Sequence, residues 1–233
     1  MGQLLVAVKS CHRDRKAGFH DAIRGTWGKE FGPGAVVKFF MGKNPDEREG
    51  SPLKNDEVVL DCLDDYMSLP FKTREICGWQ RSRLLDYTFL CDCDTIVQAK
   101  KLLALPYKSL DYGGYFRGDD DLSQTFRYED HIGVYPECHH WASGGLGYFL
   151  SKDAANEVAD VFPGYWAEDL FVGQVIGPLA QKGILRTERL DMMSAVWHFR
   201  KSKKFPDFTP ELLYRMHREG GPEKIYEEAR AAQ

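Results

Sequence analysis

A chain of 233 residues, 43% hydrophobic and 28% charged, carries enough apolar material for a packed core, in one large α/β domain or two small ones. Its net charge of −4 excludes a general polyanion binder, although a local basic patch remains compatible with it. No apolar run approaches the roughly 20 residues that span a bilayer, and the opening MGQLLVAVKS is too short and too abruptly polar for a secretory signal.

The predicted elements alternate. LLVAV (4–8) reads as a first strand and KAGFHDAIRGTWG (16–28) as a helix closed by Gly28. AVVKFFMG (35–42) and EVVLDC (57–62) read as strands two and three. The amphipathic PFKTREICGWQRSRLL (70–85) follows with Pro70 at a helix start. YTFL (87–90) is strand four, and TIVQAKKLLAL (95–105) reads as a helix ending at Pro106. This β-α-β-α order predicts an α/β fold with a mostly parallel twisted sheet flanked by helices. Farther on, YGGYFRG (112–118) and GGLGYFLS (144–151) read as strands, separated by a long polar and aromatic loop (119–141) that faces substrate. Ser151 caps a helix over 152–162, another helix covers 168–183, and the tail from Phe205 is helical. The expected organisation is a single domain over 1–200 with a C-terminal helical extension, 201–233, packed on it. The six cysteines form no pair of C-x-x-C units, which points to reduced thiols and a cytoplasmic setting.

The stretch FLCDCDTIV (89–97) carries the chemistry. Residues two apart on an extended chain share a face, so Asp92 and Asp94 point one way and Cys91 and Cys93 the other. A soft cysteine site needs further soft ligands, and no second cysteine pair supplies them. Two carboxylates on one face suit Mn²⁺ or Mg²⁺, which can neutralise a leaving diphosphate. Their place at a strand's carboxyl end fits the usual ligand position in such sheets. The bland alternative is a solvated turn.

Five segments in order, AIRGTWG (22–28), DDYMSLPFKT (64–73), FLCDCDTIV (89–97), YPECHHWASGGLGYFLS (135–151) and EDLFVG (168–173), resemble the β-1,3-galactosyltransferase and Fringe superfamily over most of the chain. The resemblance implies a GT-A fold and an inverting, metal-dependent transfer of a hexose, galactose, glucose or an N-acetyl derivative, from a UDP-sugar. It places Arg24 and Lys72 by the nucleotide, with Asp64 in the same motif as Lys72. It makes Asp92 a nucleotide and metal residue, with Asp94 and His198 as further metal ligands. Gly144 and Gly145 come beneath the donor sugar, and the acidic pair Glu168 and Asp169 beside the acceptor. Asp169 is the expected base, with Glu168 the alternative. Cys93 replaces the family's central acid, and His20 and Asp21 stand where basic residues are common.

A basic run, Arg200, Lys201, Lys203, Lys204, Arg215 and Arg218, fits the UDP diphosphate, an acceptor's phosphates or a plain solvated patch. With no membrane anchor expected, the acceptor is a glycan, a small glycoside or a hydroxymethylated pyrimidine in phage DNA, in a bacterial cell or an infected host. Two other readings stand beside this one. The first is a non-catalytic sugar-nucleotide or glycan-binding module. The second is a metal-dependent phosphohydrolase that adds Asp119–Asp121 to Asp92 and Asp94.

Overall fold

The computed structural model describes residues 3–44, 52–116, 121–122, 124–130, 132–198, 208–221 and 227. Its central strand, β1 (Leu4–Lys9), is buried along its whole length. That burial explains its unbroken apolar run, since a parallel strand covered on both faces has no polar side to alternate with. β1 lies between β2 (Ala35–Lys43) and β4 (Tyr87–Asp92), parallel to both. β3 (Glu57–Leu63) completes one edge. On the other side come β9 (Tyr148–Ser151), antiparallel to its neighbours, then β6 (Tyr112–Gly114) and β10 (Thr187–Arg189). The result is a seven-stranded, mostly parallel sheet with helices on both faces.

Side-chain parity sorts the core into two layers. Leu4, Val6 and Val8 face one apolar cluster, which includes α2 (Phe19–Gly25), α4 (Ala99–Ala104) and α7 (Pro210–Glu219). Leu5 and Ala7 face the other, with α3 (Leu69–Ser82), α5 (Lys152–Asp160) and α6 (Glu168–Gln181). In α7 the fully buried Leu213 and Met216 join the first cluster, and Tyr214 donates to the Asp21 carbonyl at 3.1 Å. Ser151 caps α5, its hydroxyl accepting from the Ala154 amide at 3.2 Å.

Three expectations need correction. The helix foreseen over 16–28 shortens to α2: the turn at Gly18, with φ +96, separates it from a short preceding helix, α1 (His12–Lys16), and a 3-10 turn over Trp27–Glu30 follows it. The helix over 95–105 shrinks to α4, because Thr95–Val97 forms a strand, β5. That β-branched run pairs antiparallel with β11 (Val196–His198), an arrangement favoured by branched side chains. The long loop holds a hairpin of β7 (Thr125–Glu129) and β8 (Val134–His139). Its aromatic residues form a small third core in which Phe126, Tyr128 and Tyr135 pack around Cys138, Trp141 and Leu170. Among the described residues, no helix is long and apolar enough to cross a membrane.

Candidate active site

The site lies at the carboxyl ends of β1 and β4. Lys9 and Asp92 are register partners on these strands and share the parity of the second core layer. Both therefore point toward α6. The Lys9 ammonium lies 3.1 Å from Asp92 Oδ1 and hydrogen-bonds Glu168 Oε1. Burial opposes this buried charge, but the carboxylates of Asp92 and Glu168 outweigh it and raise the lysine pKa. Glu168 also accepts from Tyr148 Oη at 2.7 Å and Thr73 Oγ1 at 3.1 Å. Its burial pushes its own pKa up.

The ribbon of β5 and β11 sets the rest. It places His198 opposite Thr95, beside the turn that follows β4. Ligand atoms of Asp92, Asp94 and His198 then lie within 4.8 Å of one another, with His198 Nδ1 3.7 Å from Asp94 Oδ1. Burial first, and then the charge of Asp92, push the Asp94 carboxyl up to about 7. Its Oδ1 is buried yet accepts no hydrogen bond from the described residues. Crowded carboxylate oxygens, one of them unsatisfied, beside an imidazole fit a hard divalent cation. Cys91 and Cys93 turn into the first core, and the Cys93 thiol donates to Asp14 Oδ2 at 3.0 Å.

Two cavities meet here. A groove of about 1240 Å³ runs past Ser10, Asp14, Asp64, Lys72, Asp92 and Asp94. A pocket of about 280 Å³ is walled by Tyr66, Tyr128, Trp141 and Trp166 and contains Asp169. Lys9, Asp92 and His198 line both. Asp169 Oδ2 accepts the Gly144 amide at 3.1 Å. The turn at Gly144 and Gly145 closes tightly on the site: a Cβ at Gly144 would fall 2.5 Å from Glu168 Oε1, and one at Gly145 2.8 Å from the His198 ring. These glycines line the pocket, and their small size makes room for protein groups.

A family model described as Galactosyltransferase matches residues 20–182. The chain belongs to the galactosyltransferase family. That membership makes it a glycosyltransferase, and the seven-stranded sheet agrees with the GT-A-type fold. No curated protein matched the chain. The matched span includes Asp92, Asp94, Glu168 and Asp169, whereas Lys9 and His198 lie outside it.

The galactosyltransferase fold gathers Asp64, Lys72, Asp92, Asp94, Gly144, Gly145, Glu168, Asp169 and His198 around the two cavities. Lys72 is less free than a nucleotide ligand would be. Its ammonium bonds Asp64 at 3.0 Å and the Ser10 carbonyl, and Asp64 in turn accepts the amides of His12 and Gly42. Arg24 is not brought to the site. It lines neither cavity, and its guanidinium is held by Asp56, Glu57 and Asp21 at 2.6–2.8 Å. Asp119, Asp120, Arg200, Lys201, Lys203 and Lys204 lie outside the described residues. Asp121 is exposed and accepts from Gln124. Among the described residues, Asp92, Asp94 and His198 form the one cluster suited to a metal. Sequence reasoning missed Lys9. The available signal was a lysine ending a strand that is otherwise wholly apolar.

Proposed function

We propose that this galactosyltransferase-family protein is an inverting enzyme that moves a hexose from a UDP-sugar to an acceptor hydroxyl with the help of Mn²⁺ or Mg²⁺. The observation that carries the reading is the position of Asp92 and His198 on the wall shared by the larger groove and the aromatic pocket. The groove is the donor side and the pocket the acceptor side. Asp92, Asp94 and His198 hold the cation, which when bound supplies a Lewis acid for the departing diphosphate. Asp169 is the base. It takes the acceptor proton as the acceptor oxygen bonds to the anomeric carbon and the bond from that carbon to the diphosphate oxygen breaks. Glu168 is less suited to this role, since Lys9, Thr73 and Tyr148 already occupy both its oxygens.

The pocket walls favour a glycan or glycoside acceptor over DNA. Aromatic faces suit the apolar faces of sugar rings, and the one lysine among the lining residues, Lys9, is tied to two carboxylates. A thermal-shift panel of UDP, GDP, CDP and ADP, each with Mn²⁺ or EDTA, tests the donor half. A stabilisation by UDP that needs Mn²⁺ and is lost in Asp94→Ala is expected. A shift that ignores the base, the metal or Asp94 would remove the reading.

A further inference from the structure

Lys9 stands where the two cavities meet. Its side chain is 1% exposed, and a buried ammonium is tolerated only when its hydrogen bonds are met. One carboxylate comes from each half of the site: Asp92 from the end of β4 and Glu168 from the start of α6. Glu168 is itself clamped by Thr73 of α3 and Tyr148 of β9. We propose that Lys9 is a positioning residue that couples the donor and acceptor halves, fixing Asp92 for the cation and, through Glu168, the neighbouring Asp169. This inference rests on the transferase reading above.

Charge and position act in opposite directions at Lys9, which makes the idea testable. The ammonium competes with a divalent cation for Asp92, so removing its charge alone tightens Mn²⁺ binding. Removing a positional restraint weakens binding, because partners that orient metal ligands are worth about 10- to 100-fold in affinity. Lys9→Met by itself strands the Glu168 charge in the core and lowers stability whatever else Lys9 does. The double variant Lys9→Met/Glu168→Gln removes both members of the pair and leaves the local net charge unchanged.

The experiment measures melting temperature, Mn²⁺ affinity by calorimetry in the presence of UDP, and UDP release from UDP-galactose with water as acceptor. The double variant is expected to melt above Lys9→Met, to bind Mn²⁺ about tenfold more weakly than wild type, and to release UDP more slowly at saturating donor. Lys9→Arg, which keeps the charge but moves it, is expected to weaken Mn²⁺ binding in the same sense. If the double variant and Lys9→Arg match wild type in Mn²⁺ affinity and UDP release, Lys9 only neutralises Glu168 and the coupling role is overturned. If wild type itself binds UDP no better with Mn²⁺ than with EDTA, the transferase reading falls and takes the coupling with it. The two failures are therefore distinguishable.

Discussion

Two clusters of ionisable side chains lie near the end of β1, and they differ in what is left over. Around Glu57, Arg15 donates at 3.0 Å, His20 lies at 2.9 Å, and Arg24 donates at 2.8 Å while also gripping Asp56 with two bonds of 2.7 Å. His20 passes its other ring nitrogen to Ser10 Oγ at 2.7 Å and stacks on Phe39. Glu57 is buried and each of its oxygens is engaged. Around Asp92 and Asp94 the carboxylates crowd one another, and Asp94 Oδ1 is buried and accepts no hydrogen bond from the described residues. The first cluster ties α1 and α2 to β3. The second keeps binding capacity toward two cavities. A charged motif residue is thus read for function by its unsatisfied atoms rather than by its type, and this separates Arg24 from Asp94.

Asp169→Asn carries the largest expected effect. It is expected to cut turnover about 10²- to 10⁴-fold, the usual worth of a general base, while Mn²⁺-dependent UDP binding persists. Steady-state UDP release paired with calorimetry checks both halves, and a turnover near wild type would move the base elsewhere.

Arg24→Met comes next. It takes the guanidinium from Asp56 and one of several partners from Glu57, and breaking such a pair costs about 3 to 5 kcal/mol when buried; the partial exposure of the Arg24 side chain, 23%, and the partners left to Glu57 argue for the lower end. UDP affinity is expected to hold, in contrast with Asp94→Ala. A urea melt and a UDP titration on the same sample decide it, and a selective loss of UDP binding would return Arg24 to the nucleotide.

Acid titration probes the same cluster without mutation. Burial raises the Glu57 carboxyl, but His20, Arg24, the Lys54 amide and Arg15 together bring it down to about 2 from an ordinary 4.5. The group is depressed in the folded state. Its contribution is therefore complete above pH 4.5 and is lost as pH falls toward 2, and linkage sizes it at about 3 kcal/mol. Denaturant midpoints across that window should fall more steeply for wild type than for Glu57→Gln. The smallest expected effect is Ser151→Ala, which removes the α5 cap at about 1 kcal/mol and leaves both cavities intact.

Much of this architecture was legible in the chain. β1 and β4 stand out because strands buried on both faces read as apolar runs bounded by polar breaks, and the part-buried β2 and edge strand β3 still carry short apolar runs. α3, α5 and α6 follow from helical spacing and, for α5, from Ser151. Where the reading failed, the cause was a partner far away in sequence. Thr95–Val97 becomes a strand only because Val196–His198 lies beside it. The 119–141 loop contains a hairpin because Phe126, Tyr128 and Tyr135 find Trp141 and Leu170.

The α/β class, the order of the main strands, the family and the acidic pair at a strand's carboxyl end are all readable from the chain alone. These depend on local periodicity and on motifs short enough to see in one dimension. Folding in three dimensions settled that Arg24 is held by Asp56, Glu57 and Asp21, that Glu168 is clamped while Asp169 faces the pocket, and that Lys9 pairs with both Asp92 and Glu168. Each of those outcomes is a competition for hydrogen-bond partners among residues as much as 159 positions apart, and burial decides such competitions by making an unmatched charge costly.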